Sequence, residues 1–329
     1  MLLDAKNRKI LYELDKNARV TYTELARKVG VSKEVARYRH LALEKNGAIG
    51  KYFTIIDVSR IGYSNYKAFL KLQNASEKKE RELAEYLKKN PNVAWSASCD
   101  GAFDVAFGML APNLEAYAEK LEDLDNRFGD VILQRDIAPI VRGEYFNRDY
   151  LVGKRSGTER AMTFGSVPKN VELDEVDGKI LMSLGINART PVSVLAHRAD
   201  VSPDAAASRL RRLEKAGIIR NYILVLNNES LGQLHFKVMA RLHAATREQR
   251  LALVEFCRSH PNIFYTVSRT FGPWEFEFDM EVPNVESFRS VMRNFKEAFA
   301  DLLRDYSYIQ IYRVNKYNFC PKMPVLSER

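Results

Sequence analysis

The sequence predicts an α+β chain built twice over. A winged helix-turn-helix unit is followed by a ferredoxin-like βαββαβ unit, and the pair then recurs. Three observations predict this. Thr21 to Ile49 carries a helix–turn–helix pattern with a basic outer side. Thr190 to Ile219 repeats it at an offset of 170 residues without a gap. After each copy the apolar spacing changes in the order strand, helix, strand, strand, helix, strand.

In the first copy, Leu3, Ile10, Leu11 and Leu14 fall on one side of a helix over 3–16. Leu25, Ala26 and Val29 make a second apolar stripe, and Gly30-Val31 breaks it. Ser32 is placed to cap a third helix that runs through Val35, Arg39 and Leu43 and stops at Gly47. The repeat is close: Asn17-Ala18-Arg19 recurs as Asn187-Ala188-Arg189, and Leu43-Glu44-Lys45 as Leu213-Glu214-Lys215. One inserted residue near Gly272 then shifts the offset, so that Pro112-Asn113 meets Pro283-Asn284. The chain is a tandem duplication.

These patterns divide the chain into a helix-turn-helix over 1–50, a connecting strand or arm over 51–65 and a βαββαβ unit over 66–150. A linker over 151–170 follows, rich in Gly, Ser and scattered charge from Gly153 onward. The second set covers 171–220, 221–233 and 234–329. The alternating segment Ala48 to Asp57 suits either a wing or an arm into the next unit.

With 46% apolar and 28% charged residues, the composition is that of an ordinary globular protein, and no apolar run is long enough to span a membrane. The start lacks the apolar stretch of a signal peptide. Cys99, Cys257 and Cys320 are odd in number and form no CxxC pair, which argues against a disulfide framework or zinc ribbon. A reducing cytoplasm is the expected compartment. The net charge of +9 is unevenly spread. Residues 1–50 hold eleven Lys/Arg against six Asp/Glu, whereas 171–220 hold eight against seven. A basic face attracts a polyanion by releasing its counterions, so the first copy is the better suited to DNA.

The five histidines show neither HxH nor HExxH spacing, and GxSxG, P-loop and GxGxxG motifs are lacking. No catalytic residue, metal ligand or cofactor is therefore expected. On a recognition helix the first residues and the outward face approach the bases. In the first copy these are Ser32, Lys33, Arg37, Tyr38 and Arg39, with Lys33 and Arg37 the candidates for base edges. In the second they are Ser202, Ser208, Arg209 and Arg212, beside Arg211 and an unfavourable Asp204.

The entry helix beginning Leu3-Asp4, the turn Gly30-Val31-Ser32, the run Arg39 to Ile49, the Gly62 arm and the turn Gly101-Ala102-Phe103-Asp104 together resemble the Lrp/AsnC, or feast/famine, transcription regulators. The resemblance covers nearly the whole chain, twice. It implies double-stranded DNA as partner, pairing of the βαββαβ units through their sheets, and an amino-acid-like effector between subunits. Asp100, Gly101 and Asp104 are the candidate effector residues, since a Gly turn can offer amides to a carboxylate and the acids can hold an ammonium group. There are two departures. The family's unit occurs twice here, like a linked dimer, and the second turn reads Gly272-Pro273-Trp274-Glu275, where Pro273 removes an N–H. His40 stands where the repeat has Leu210 and is read as a tolerated, half-buried histidine. Two alternatives stay open. One is a sirohaem-decarboxylase-like enzyme using His235, Arg241 and His243 on or beside one strand. The other is a DNA-free sensing or assembly protein.

Overall fold

The computed structural model describes residues 3–153, 161–165 and 171–320. Helices α1 (Ala5–Lys16), α2 (Tyr22–Val29) and α3 (Lys33–Lys45) each start under a side-chain cap, from Asp4, Thr21 and Ser32 in turn. Each cap satisfies one of the amides that a helix start leaves unpaired. The chain continues through β1 (Ile49–Ile56), β2 (Ser64–Leu72), α4 (Glu77–Lys89), β3 (Val93–Gly101), β4 (Val105–Ala111), α5 (Leu114–Phe128) and β5 (Ile132–Phe146). A short strand, β6 (Ala161–Phe164), then pairs with the end of β5. Part of the predicted linker thus extends the sheet, while its residues 154–160 and 166–170 lie outside the described residues.

The second copy repeats the order with α6 (Glu175–Ile186), α7 (Val192–Ala199), α8 (Pro203–Lys215), β7 (Ile219–Leu226), a one-turn α9 (Asn228–Leu231), β8 (Leu234–Leu242), α10 (Arg247–Ser259), β9 (Ile263–Thr270), β10 (Phe276–Val282), α11 (Val285–Ala298) and β11 (Leu303–Tyr317). Asp200 takes the left-handed conformation that Gly30 takes in the first copy, with φ of 56° against 74°. Short polar side chains tolerate that region better than most.

Within each copy the sheet order is that of a ferredoxin-like sandwich: β5-β2-β4-β3 and β11-β8-β10-β9. The two sheets do not stay separate. β3 pairs with β11 and β9 pairs with β5, so eight strands close into a ring. Closure satisfies the edges that an isolated four-stranded sheet would expose. The helices cover the outside: Leu83, Leu87, Tyr117 and Leu124 pack on Phe107 and Met109 in the first copy, and Leu253, Phe288 and Phe295 pack on Phe276 and Phe278 in the second.

The segment after each helix-turn-helix is an arm. β1 and β7 pair antiparallel with Phe53 opposite Ile223, and each three-helix unit sits on the other copy's arm. The Ala18 amide donates to the Tyr222 carbonyl at 2.7 Å, and the Ala188 amide to that of Tyr52 at 3.3 Å. Arg19 reaches the Ala188 and Thr190 carbonyls at 2.7 and 2.8 Å, and Arg189 reaches the Ala18 carbonyl in return. Ile10, Leu11 and Leu25 share one apolar cluster with Ile180, Leu181 and Leu195. The two helix-turn-helix units are therefore joined through a common core.

Inside the ring the two copies differ. Strand periodicity points Glu277, Asp279 and Glu281 of β10 inward, and the positions that match them in β4 are Ala106, Gly108 and Leu110. Lys67 Nζ meets Glu277 at 2.6 Å, while Lys237 binds Asp279 and lies 3.6 Å from Glu277. His235 Nε2 lies 2.9 Å from Asp279, and Arg148 bridges Glu281 at 2.7 Å and Asp15 of α1 at 2.6 Å. Burial alone would raise the Glu277 and Asp279 pKa values, but Lys67 and Lys237 at Glu277, and Lys237 with His235 at Asp279, outweigh it and hold both below the usual carboxylate range.

Candidate nucleic-acid interface

The core-facing side of α3 is Ala36, His40 and Leu43. A helix advances 100° per residue, so Glu34, Arg37, Tyr38 and Leu41 point to solvent with Val35 at their edge. Tyr38 is 74% exposed. Among the described residues neither Lys33 nor Arg37 has an ion-pair partner, which leaves both cations available to an outside anion. Ser32 Oγ accepts the Val35 amide at 3.2 Å, so its first task is the cap.

Arg39, expected among the DNA contacts, is engaged within the chain. Its Nη1 donates to Asp4 Oδ2 at 2.6 Å and to Asn7 Oδ1 at 3.0 Å, clamping α3 to the start of α1. The second copy repeats the clamp: Arg209 binds Asp174 and Asp177, and Arg212 also binds Asp177, whose side chain is fully buried. Arg209 and Arg212 thus hold the three-helix unit together. The signal was in the repeat, because both copies place an Asp 35 residues before the clamping Arg. Ser202 caps α8 through the Ala205 amide at 3.2 Å. The early part of α8 exposes Pro203, Asp204, Ala205 and Ser208, and Arg211, Arg212, Glu214 and Lys215 follow toward its end.

His40 is more deeply buried than its sequence position suggested, at 1% exposure. Tyr22 Oη lies 2.8 Å from Nδ1, and Tyr52 Oη 2.5 Å from Nε2. Tyr52 Oη donates to Glu44 at 2.6 Å, just as Tyr222 donates to Glu214 at 2.7 Å in the copy that has Leu210. Burial, with the nearby Arg189 charge, pushes the His40 pKa down to about 4 against the pull of Glu44. The imidazole is therefore neutral near pH 7.

In the expected effector turn, Asp100, Gly101 and Asp104 are engaged within the chain. The Ala102 amide donates to the Tyr308 carbonyl at 3.2 Å and the Asp104 amide to that of Leu70 at 2.9 Å. Asp104 accepts from the Leu72 amide at 2.7 Å and from Lys71 Nζ at 2.8 Å. Gly101 adopts φ of 114°, and a Cβ there would stand 2.8 Å from the Tyr308 carbonyl oxygen. Gly272 makes the matching approach to Ile137, and Glu275 accepts the Leu242 amide at 2.8 Å. Each turn thus lies close against the other copy's last strand, and in the first copy the Ala102 amide is taken up there. Asp100 pairs along β3 with Gln310.

The residues of the enzyme alternative do not converge. His235 is buried against Asp279, whereas Arg241 is exposed, with Nε on the Pro273 carbonyl at 2.9 Å, and His243 lies exposed beyond β8. Burial pushes the Cys99 and Cys320 thiols up to about 12, far from a reactive thiolate. The space left in the ring, between Asn65, Lys67, Tyr145, Tyr265 and Asp279, is a cavity of about 30 Å³. That is room for one or two waters.

An AsnC-type helix-turn-helix domain matches residues 3–44 and again residues 173–214. Over 128 residues the chain is 32% identical to the proline dehydrogenase transcriptional activator of Rhodobacter capsulatus, covering 83% of that protein and 37% of this chain. The chain belongs to the Lrp/AsnC family. It is a tandemly duplicated regulator of Lrp/AsnC type. An uncharacterised helix-turn-helix regulator of Pyrococcus furiosus is 30% identical over 122 residues, which cover 81% of it and 37% of this regulator. Both matches span about one copy. A solved siroheme decarboxylase superposes on 95% of this Lrp/AsnC chain and on 93% of its own, with a TM-score of 0.58 and 14% identity. At that identity the likeness shows a shared tandem fold. Among the described residues no helix is long and apolar enough to cross a membrane.

Proposed function

We propose that this regulator binds double-stranded DNA as a single-chain pseudo-dimer, with α3 as the principal reader and α8 as a weaker second reader. The observation that carries the proposal is the unpaired, solvent-facing set Lys33, Arg37 and Tyr38 on a helix locked to its neighbours by Arg39. An arginine paired with a guanine edge contributes about 1–3 kcal/mol of discrimination. In α8 the counterparts of Lys33, Arg37 and Tyr38 are Pro203, Ala207 and Ser208, and Asp204 opposes phosphate. Arg211 and Lys215 are exposed cations of α8 outside its clamp, and Arg211 is the one on the face of Ala205 and Ser208.

The regulator reading is favoured over tetrapyrrole chemistry by the scatter of His235, Arg241 and His243: only His235 is buried in the ring, and Asp279 holds it there. The lysines beside it are also engaged in ion pairs within the chain. On this reading the protein acts in the cytoplasm, on the DNA it binds.

The test is selection from random duplexes at two salt concentrations, with wild type and Arg37→Ala in parallel. An enriched motif, weakened steeply by salt and by the substitution, is the expected result. Equal recovery of all sequences by both proteins would refute the proposal.

A further inference from the structure

We infer that α3 reads the 5-methyl groups of thymines in its half-site, through an apolar stripe made by Val35, Tyr38 and Leu41; the inference rests on the DNA-binding reading above. The three residues are 40%, 74% and 45% exposed. They recur every third residue along the solvent side of α3, turned away from the Ala36–His40–Leu43 core face. None is a member of a buried apolar cluster among the described residues.

The duplication supplies an internal control. The matching residues of α8 are Ala205, Ser208 and Arg211, and that copy forms the same three helices. The fold does not need an apolar stripe there. A partner for it must be apolar where Val35, Tyr38 and Leu41 touch and anionic where Lys33 and Arg37 flank them. The DNA major groove meets both needs, because its one apolar group is the thymine methyl and its walls are phosphates. A second α3 is disfavoured, since it would set Lys33 and Arg37 against their own copies. The half-site under α8 has no such reader, so the whole site is directional.

The experiment takes the duplex enriched by wild type and replaces thymine by deoxyuridine, first in one half-site and then in the other. Affinity of the full chain is read by fluorescence anisotropy. A buried methyl is worth about 0.8 kcal/mol, or roughly fourfold in Kd. Uracil in the α3 half-site should weaken binding by about fourfold per contacted methyl, and uracil in the α8 half-site by less than twofold. A chain carrying Val35→Ala and Tyr38→Ser, the residues of the second copy, should bind the two duplexes alike. Motif binding that depends on Arg37 but is indifferent to uracil would overturn the inference and leave the regulator reading standing. A change of oligomeric state in the double variant with the uracil response intact would overturn it too, by assigning the stripe to self-association. Absence of any motif would overturn both.

Discussion

The two copies fold alike and are equipped differently. The first has the exposed cations and the apolar stripe on its recognition helix, and it presents Ala106, Gly108 and Leu110 to the inside of the ring. The second has a recognition helix with little to offer a base, and it presents Glu277, Asp279 and Glu281 at the matching ring positions. Lys67 of the first copy finds its acid across the junction, on the second, and Arg148 bridges Asp15 of its own copy to Glu281 of the second. Two first copies facing one another would bury lysines without acids, and two second copies would gather six acids. Buried charges left unpaired cost several kcal/mol each, so the ring favours one copy of each kind. The difference teaches that duplication allowed one half to specialise toward the ligand and the other toward the joint.

The largest effect is expected at the joint. Glu277→Gln leaves Lys67 and Lys237 short of an acid inside the ring. Breaking a buried pair on one side costs about 3–5 kcal/mol, readable as a lower urea midpoint. Adding Lys67→Met should recover much of the loss. If the single variant matched wild type, the ion pairs would not be what holds the halves together.

The next effect concerns His40, which has no counterpart in the second copy. Its folded pKa near 4 lies below the unfolded value of about 6.5. Between those values the unfolded chain binds the extra proton. The stability His40 contributes is therefore full above pH 6.5 and is lost as pH falls toward 4, by a total on the order of 3 kcal/mol. His40→Leu, which imports the residue of the second copy, should remove that part of the acid sensitivity. An unchanged slope between pH 6.5 and 4 would count against the assignment.

Smaller effects sharpen the contrast between the recognition helices. Arg37→Ala should cost about 1–3 kcal/mol of affinity for the selected duplex, and Arg211→Ala clearly less. Equal losses would make the two readers equivalent. Smallest is Arg39→Ala, which removes a half-exposed clamp and should lower stability by about 0.2–1 kcal/mol. A loss of DNA affinity as large as that of Arg37→Ala would return Arg39 to the interface.

Most of the fold was legible because it is local. Caps at Ser32 and Ser202, the breaks after each second helix and the alternation of the strands can all be read within a few residues. The closed ring was not, because β3–β11 and β5–β9 pair segments far apart in sequence. The helices of each helix-turn-helix were legible for the same local reason, but the clamps made by Arg39, Arg209 and Arg212 were not. Their partners sit 32–35 residues upstream, and a basic residue on a helix looks the same whether its acid is nucleic or carboxylic. The Gly101 turn is similar: its glycine is visible in the sequence, but its approach to Tyr308 belongs to the tertiary pairing.

The central claim is that one chain reads two unlike half-sites, with α3 dominant. Hydroxyl-radical footprinting of the selected duplex, with wild type, Arg37→Ala and Arg211→Ala side by side, tests it most directly. The account predicts two protected segments of unequal depth from one chain, the deeper fading with Arg37→Ala and the shallower with Arg211→Ala. Two equally protected segments that fade together with Arg37→Ala, and a stoichiometry of two chains per site, would contradict it.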